Sequence, residues 1–271
     1  MSVWRMSDDH GNSVVTKVPN RVVSLVPSLT QAIAQSAPGL LVGATNWCTY
    51  PPDLQVRRVG GTKNPDLAAI IELTPDLVVV NEEENRLADV EQLRAAGLPV
   101  WVTDIRTVDQ ALDSLERLLA ALSAPDVAWL AQARAAWQDP PWVMPGRRLR
   151  AVIPIWRRPW MALGSDTYAG DALARLGVDN VLAGDPSRYP TVQLAALPPV
   201  DLVALPDEPY AFSATDGPEA FPATPVALLD GRSLTWYGPS MVEAPDRLLA
   251  ALRTAVRPSR EHQAPRKGRT P

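Results

Sequence analysis

The longest helical pattern in the chain lies near its middle. Apolar side chains recur there at steps of three and four, which places them on one face of a helix. These apolar positions are Val108, Ala111, Leu112, Leu115, Leu118, Leu119 and Leu122. Thr107 followed by Gln110 has the spacing of a capping box, so we expect the helix to begin there. Pro125 is well placed to open a second helix, because the first turn does not use its missing N–H, and Pro140-Pro141 would end it.

Short apolar runs and amphipathic segments alternate on both sides of this helical pair. A continuous apolar run of this kind is typical of a strand buried on both faces of a parallel sheet. The predicted strands are 21–26, 40–44, 76–80, 100–103, 149–155, 201–205 and 226–229. The predicted helices are 29–36, 66–73, 86–96, 168–176 and 242–255. Turn residues at the centre of 3–18 predict a hairpin there.

This alternation predicts an α/β protein with two α/β lobes joined by a helical bridge and a ligand cleft between the lobes. We assign 1–106 to the N-terminal lobe, 107–142 to the bridge and 143–256 to the C-terminal lobe. The remaining residues, 257–271, are rich in proline and basic side chains and lack an apolar period, which predicts a disordered basic tail.

A short sequence repeat supports the cleft. Val42 precedes Tyr50-Pro51 by eight residues, and Val181 precedes Tyr189-Pro190 by the same interval. Matching loops on two lobes would face each other across a crevice, which is where small ligands usually bind.

Composition excludes several classes of protein. The 271 residues carry a net charge of -4, which gives no basic surface for nucleic acid. The single cysteine, Cys48, cannot form an intramolecular disulfide. We expect no membrane insertion, because no apolar run is long enough to span a bilayer. The segment after Met1 has no apolar signal core, so we expect a cytoplasmic protein, or a periplasmic or extracellular one if a signal peptide was removed.

The histidines argue against an enzyme. His10 and His262 are the only two, and both lie in terminal segments, so a Ser-His-Asp or Cys-His arrangement has no base. A histidine-rich zinc site is disfavoured for the same reason, and the chain has no nucleotide-binding glycine motif. We therefore expect a non-catalytic protein with no covalent cofactor and no resident metal.

Polar residues follow two predicted strands at their carboxyl ends. Glu82, Glu83 and Glu84 come directly after the strand that leads to Asn81. They could bind a hard cation or accept hydrogen bonds from a ligand, and a solvated acidic loop is the alternative. Ser28 lies in the turn after the first strand of the lobe, so we include it and Asn81 among the candidate ligand-binding residues.

Aromatic side chains concentrate in predicted loops rather than on periodic core faces. Rings at such positions can cover a large flat ligand, although each could instead pack a loop onto its own lobe. The candidates are Trp47, Tyr50, Trp156, Trp160, Tyr168, Tyr210 and Trp236, and Phe212 and Tyr237 belong to the same group of aromatic residues. Arg157 and Arg158 follow a predicted strand and could pair with a carboxylate or phosphate of a ligand, or remain solvated.

Several segments together carry a family resemblance. They are Arg21-Val22-Val23-Ser24-Leu25-Val26-Pro27-Ser28, Tyr50-Pro51-Pro52, Val59-Gly60-Gly61, Asn64-Pro65 and Leu93-Arg94-Ala95-Ala96-Gly97-Leu98-Pro99-Val100. These segments resemble the class III, helical-backbone family of periplasmic-binding-protein-like proteins, which receive cobalamin, haem or ferric siderophores for ABC importers. The N-terminal lobe matches strongly, the C-terminal lobe more loosely, and the cobalamin-binding branch is nearest. The resemblance implies a bound corrinoid or related metal chelate as the ligand of the cleft.

Two features depart from that family. Its members carry one glutamate on each lobe that docks onto arginines of the permease. The first should lie in the helix after Asn64-Pro65, where this chain has Ala68 and Ala69. The second should follow Tyr189-Pro190, where 192–196 contain no carboxylate. Together with the lack of a signal segment, these differences argue against docking to an ABC permease.

Three hypotheses about function remain. The preferred one is a cytoplasmic protein that binds a corrinoid or related metal chelate between aromatic loops and is not coupled to transport. The first alternative is the solute-binding subunit of an ABC importer for cobalamin, haem or a ferric siderophore. The second is an enzyme that modifies a corrinoid or siderophore and uses the acidic loop as its acid–base group. In each case the expected partner is a small molecule.

Overall fold

The computed structural model of the protein describes residues 6–15, 17–125 and 127–257. It begins with a hairpin of two short strands, β1 (Met6–Ser7) and β2 (Ser13–Val15). The carboxylate of the buried Asp8 accepts hydrogen bonds from the backbone N–H groups of His10 and Asn12, which fixes the turn between the strands. The predicted hairpin is confirmed in this described part.

The N-terminal lobe is a five-stranded parallel sheet covered by helices. Each buried strand is an apolar run, as expected where helices cover both faces. Its elements are β3 (Val22–Ser24), α1 (Pro27–Ser36), β4 (Leu41–Ala44), β5 (Arg57–Arg58), α2 (Leu67–Glu72), β6 (Leu77–Asn81), α3 (Leu87–Ala95) and β7 (Val100–Thr103). The strand order is β5-β4-β3-β6-β7, and every neighbouring pair is parallel.

The bridge consists of two helices, α4 (Val108–Ala121) and α5 (Ala128–Gln138). The hydroxyl of Thr107 accepts a hydrogen bond from the backbone N–H of Gln110 at 3.1 Å, so the predicted cap of α4 is confirmed. The second helix begins later than predicted. Val127 has an extended backbone and is the N-cap, so Pro125 lies in the connection rather than in the first turn of α5.

The C-terminal lobe is a four-stranded parallel sheet with an added hairpin. Its elements are β8 (Leu149–Val152), β9 (Pro154–Arg157), β10 (Trp160–Ala162), α6 (Tyr168–Arg175), β11 (Val178–Asn180), β12 (Leu202–Pro206), β13 (Val226–Leu229), α7 (Gly231–Thr235) and α8 (Ala244–Val256). The sheet order is β11-β8-β12-β13.

The strand predicted at 149–155 is wrong in its second half. The chain leaves the sheet after Val152, and Pro154 begins a separate strand that pairs antiparallel with β10. The apolar run continues through this break, because β9 also packs on its lobe, so periodicity alone did not reveal the hairpin.

One apolar core joins the two sheets through the bridge. It includes Leu29 of the N-terminal lobe, Leu115 and Trp137 of the bridge, and Leu202 and Leu248 of the C-terminal lobe. A shared close-packed core resists relative movement of the parts that it connects. The predicted fold class, two α/β lobes joined by a helical bridge, is confirmed.

The structure bears only in part on two predictions, the disordered tail and the absence of a membrane-spanning helix. The predicted tail, 257–271, lies outside the described residues except for Arg257. Within the described residues, no helix combines the length and the apolar character that crossing a membrane would require.

Candidate functional site

The carboxyl ends of the two parallel sheets face each other across the space between the lobes. Contacts across this space come from segments after β3, β4, β6 and β7 of the N-terminal lobe. They meet segments after β10, β11 and β13 of the C-terminal lobe. In open α/β sheets this edge is the usual location of a ligand.

An arginine that the sequence did not single out lies between two of the predicted aromatic residues. The guanidinium of Arg232 lies 3.6 Å from the ring centroid of Tyr50 and 4.9 Å from that of Trp236. The two rings meet edge to face at 5.8 Å. Arg232 also donates a hydrogen bond to the side-chain oxygen of Gln31 at 3.1 Å, so it links α7 to α1 of the other lobe.

The acidic loop after β6 is held in place by Asn81. The side-chain oxygen of this buried residue accepts hydrogen bonds from the backbone N–H groups of Glu83 and Glu84, and its amide group donates to Thr103. All of these partners belong to the N-terminal lobe. The amide of Asn81 therefore positions the loop, which differs from the ligand contact that we expected of it.

Ion pairs connect this loop to the other lobe at one side of the cleft. Arg106 binds Glu82 at 2.9 Å and Asp166 of the C-terminal lobe at 2.8 Å. Arg188 lies 3.6 Å from Glu83 and 3.8 Å from Asp166. We call these five residues the clasp. Burial, followed by the nearby Asp104 carboxylate, raises the pKa of Glu82.

Four side chains form the base of the cleft: Ser28, Glu84, Tyr168 and Tyr237. The two tyrosine rings meet edge to face at 5.8 Å and are almost fully buried. A Cβ at Gly238 would lie 3.2 Å from the carbonyl oxygen of Ser28, which shows how closely this loop approaches the start of α1. The sequence predicted Ser28, Glu84 and Tyr168 as site residues, and it placed Tyr237 in the same group of loop aromatics.

The surroundings at the base of the cleft shift the pKa values of the side chains that form it. Burial, together with the charge of Glu83, raises the pKa of Glu84 from 4.5 to about 7. Burial raises the pKa of Tyr237 well above its usual value, and the charges of Glu84 and Glu83 raise it further. Burial also raises the pKa of Tyr168. Both phenols are therefore protonated donors near neutral pH.

Other predicted residues lie apart from this base. Trp160 stacks on Phe212 and Tyr210 packs against the same ring, so both help to form the apolar cluster of the C-terminal lobe. Arg157 pairs with Asp216 and Glu219 of its own lobe. These contacts match the loop-packing alternative, because the β9–β10 hairpin folds the aromatic residues onto the lobe.

Three candidate side chains remain accessible to solvent. Trp47 is 67% exposed, with its indole beside Gly61, and Trp156 is 41% exposed and meets Tyr210 edge to face. Arg158 is exposed. They can contact a ligand only if it extends beyond the buried base.

One group of side chains has the composition of a metal site. His10, Glu82 and Asp104 each offer a ligand atom, and these atoms lie within 4.8 Å of one another. Arg106 already binds both carboxylates, at 2.9 and 3.0 Å, and supplies their counter-charge. A cation would have to displace this arginine, and with it one contact between the lobes.

Two cavities lie elsewhere. One of about 460 Å³ is bordered by Asn12, Arg94 and Val100, and one of about 430 Å³ by Leu112, Arg134 and Trp137. Neither borders the inter-lobe residues described above. The contacts of the clasp and of Arg232 join the two lobes.

Comparison with known proteins supports the fold. No family model matches the chain. The chain is 26% identical over 182 residues to a vitamin B12-binding protein of Pectobacterium carotovorum, covering 65% of this chain and 66% of that protein. It is 34% identical over 117 residues to the uncharacterized ABC transporter substrate-binding lipoprotein YvrC of Bacillus subtilis, covering 41% and 37% of the two chains. The matches thus span less than two thirds of these relatives.

A solved structure extends the likeness to nearly the whole chain. The periplasmic vitamin B12 binding protein BtuF of Vibrio cholerae aligns with a TM-score of 0.72 and 20% identity, over 88% of this chain and 98% of that one. The chain therefore has the two-lobed fold of the helical-backbone solute-binding proteins, and the resemblance drawn from the sequence is confirmed.

The names of these relatives also bear on the three hypotheses. Each describes a binding protein and none an enzyme, which agrees with the non-catalytic interpretation. They do not support the cytoplasmic interpretation, which rested on where this sequence begins, and a first residue alone does not fix cellular location. The importer alternative agrees better with them.

Proposed function

We propose that this protein is the solute-binding subunit of an ABC importer and that it binds a corrinoid between its lobes, outside the cytoplasmic membrane. The observation that carries the proposal is the meeting of Tyr50 with Trp236 and Arg232 at the carboxyl ends of two parallel sheets. A flat ring system could replace the guanidinium against Tyr50 and bury its faces on aromatic side chains.

The relatives support both parts of this proposal. One is named a vitamin B12-binding protein, another a periplasmic vitamin B12 binding protein, and a third an ABC transporter substrate-binding lipoprotein. Haem and ferric siderophores remain the competing ligands, because the same fold is expected to accept them.

Docking to a permease would use a different surface from the glutamate pair of the family. Ala68 is exposed on α2, and 192–196, which end in a short 3-10 helix (Leu194–Ala196), contain no carboxylate. We propose that docking, where it occurs, relies less on charge in this protein. Its dependence on salt would then be weak.

A fluorescence titration tests the ligand. The nine tryptophans supply the signal, and cyanocobalamin, haem and a ferric siderophore are added separately to the purified protein. We expect saturable quenching by cyanocobalamin at micromolar or lower concentration. Because Tyr50 and Trp236 would hold the ring system, Tyr50→Ala and Trp236→Ala should each weaken binding about tenfold or more, within the range seen for buried aromatic contacts.

A matched variant separates loss of binding from loss of signal. Trp142→Ala also removes one tryptophan, and Trp142 lies beside Gly177 and Arg148 rather than at the cleft. Its dissociation constant for cyanocobalamin should stay within about twofold of the original value. Saturable quenching by haem or the siderophore alone would rule out the corrinoid, and no response to any of the three would rule out the proposed function.

A further inference from the structure

Two buried hydroxyl groups at the base of the cleft lack partners. Ser28 and Tyr168 are 3% and 6% exposed. Among the residues that the structure describes, neither Ser28 Oγ nor the Tyr168 hydroxyl has a hydrogen-bond partner. Leaving a buried polar group without a partner is destabilising, so such groups normally have a hydrogen-bond partner.

Both hydroxyls belong to the same small region. Tyr168 packs edge to face on Tyr237, and Tyr237 is followed by Gly238, which lies against the carbonyl of Ser28. Ser28 is in the first turn of α1, a ten-residue helix whose N-cap, Val26, has no capping side chain. The start of this helix and the two phenols thus offer several hydrogen-bond donors.

A carboxylate completes the region on the side of the N-terminal lobe. Glu84 follows β6 and lies close enough to Tyr237 to influence the phenol. The titratable and charged groups that face Glu84 are Glu83 and Lys63 from its own lobe, and Glu208 and Tyr237 from the other. Lys63 donates a hydrogen bond to the backbone carbonyl of Glu83, so its charge is held near the loop. Arg188 also lies 3.6 Å from Glu83 and compensates part of its charge, whereas Glu84 forms no ion pair with any described residue.

We propose that Ser28, Glu84, Tyr168 and Tyr237 form a subsite for a primary amide on the ligand, and that this subsite rejects a carboxylate in the same position. The proposal rests on the proposed function, since a corrinoid carries several primary amides around its ring. The amide carbonyl would accept a hydrogen bond from a phenol, and the amide N–H would donate to Glu84.

The rejection of a carboxylate follows from charge. An amide satisfies both the phenol donors and the Glu84 acceptor, because it carries both kinds of group. A carboxylate has no donor for Glu84 and would bring a further negative charge beside Glu83, Glu84 and Glu208. Like charges brought together at a buried site repel strongly, so the difference in affinity should be easily measured.

The test compares cyanocobalamin with its monocarboxylic acids, in each of which one peripheral amide is hydrolysed. Binding is measured at pH 8, where Glu84 is ionised. The original protein should bind at least one of these acids about tenfold or more weakly than cyanocobalamin. Glu84→Gln should reduce that preference to within about threefold, because glutamine removes the negative charge and offers its own N–H donors.

Two further variants separate a binding role from a structural one. Glu72→Gln removes an equal charge from the exposed end of α2 and should leave the preference unchanged. Tyr168→Phe removes a hydroxyl without a partner, so it should leave the protein at least as stable while it weakens cyanocobalamin binding. If Tyr168 had only a structural role, Tyr168→Phe would not weaken cyanocobalamin binding while stability is kept.

The outcomes distinguish this subsite from the function on which it rests. If cyanocobalamin and all of the acids bind equally well, or if Glu84→Gln keeps the full preference, the amide subsite is wrong and the proposed function stands. If cyanocobalamin does not bind at all, both are wrong.

Discussion

At the scale of single residues, the surroundings of Glu84 change its chemistry strongly. It is partly buried in the loop after β6, beside Glu83 and opposite Glu208 and Tyr237. Burial and the neighbouring carboxylates favour its neutral form, and its pKa rises from 4.5 to about 7. Since an unfolded chain would not share this shift, the free energy of unfolding must depend on pH through Glu84.

The sign of this dependence gives a first prediction. Because the folded state holds the Glu84 proton up to a higher pH than the unfolded state does, Glu84 makes its full contribution to the free energy of unfolding below pH 4.5. That contribution is lost as the pH rises through about 7. At about 1.4 kcal/mol per pKa unit the loss reaches at most about 3–4 kcal/mol. Glu84→Gln removes the titration, so its free energy of unfolding relative to the original protein should increase between pH 4.5 and pH 8. Urea denaturation at several pH values measures this difference.

The exposed Glu72 serves as the comparison for this measurement. Glu72→Gln changes the charge equally at a surface position, so its effect on unfolding should stay within about 0.5 kcal/mol at every pH. A difference between Glu84→Gln and the original protein that does not vary with pH would contradict the assigned surroundings of Glu84.

Individual site residues were predictable from the sequence mainly where they follow a strand. Tyr50, Glu82, Glu84 and Trp236 were identified in this way, because loops at the carboxyl ends of parallel strands converge. Arg232 escaped notice, since it belongs to a short helix and its partners are distant in the sequence. Only the folded chain brings its guanidinium against Tyr50.

At the scale of elements, two loops of the C-terminal lobe meet at Gly164. The backbone N–H of Gly164 donates to the carbonyl of Arg188 at 2.7 Å, and its carbonyl accepts from Asn180. A Cβ at Gly164 would overlap the carbonyl oxygen of Ser187 and lie 2.9 Å from Pro190. Glycine is thus needed there for close approach, and the two loops carry Asp166 and Arg188 of the clasp.

Replacing this glycine gives a second prediction. Gly164→Ala should lower the free energy of unfolding by about 1–3 kcal/mol, because backbone rather than a flexible side chain occupies the space. Gly184→Ala is the matched change, since no described atom outside its immediate neighbours lies within 4 Å of the added carbon. It should change stability by less than about 0.5 kcal/mol. Equal effects of the two variants in thermal or urea unfolding would refute the close approach.

Helices and strands were predictable where residues close together in the sequence determine their ends. The cap of α4 rests on Thr107 and Gln110, which are adjacent in the helix and need no distant partner. The start of α5 and the β9–β10 hairpin depend instead on packing against the lobes. Pro154 begins β9, and Pro125 precedes α5, so a proline lies near both places. We took Pro125 as the start of α5, but a proline also suits a connection between helices, and only tertiary contacts decide between the two.

At the scale of the whole molecule, the lobes are joined by a common core and by polar contacts on two sides of the cleft. The core was predictable, since the apolar periods of α4 and the buried strands all had to be covered. The clasp was not, because ion pairs between exposed loops leave no pattern in a sequence. Arg106 has its side chain only 19% exposed and binds Glu82, Asp104 and Asp166 together.

The position of Arg106 leads to the last prediction. Arg106→Gln would leave three carboxylates of two lobes close together without their shared cation. Networks of partly buried charges lose more than isolated surface pairs when a central member is removed, so we expect about 1–3 kcal/mol of lost stability. Amides of the loops that carry Glu82 and Asp166 should also exchange hydrogen faster, because those loops would separate more often.

Arg134 allows this effect to be attributed to the contact between lobes. It likewise binds two carboxylates, Asp113 and Glu116, but all three lie on the bridge helices. Arg134→Gln should therefore lose less than about 0.5 kcal/mol and leave exchange in the cleft loops unchanged. Salt should reduce the effect of Arg106→Gln only in part, since a partly buried network is screened less than a surface pair. If both variants accelerate exchange equally, the clasp does not hold the lobes together, and the shared core alone fixes the width of the cleft.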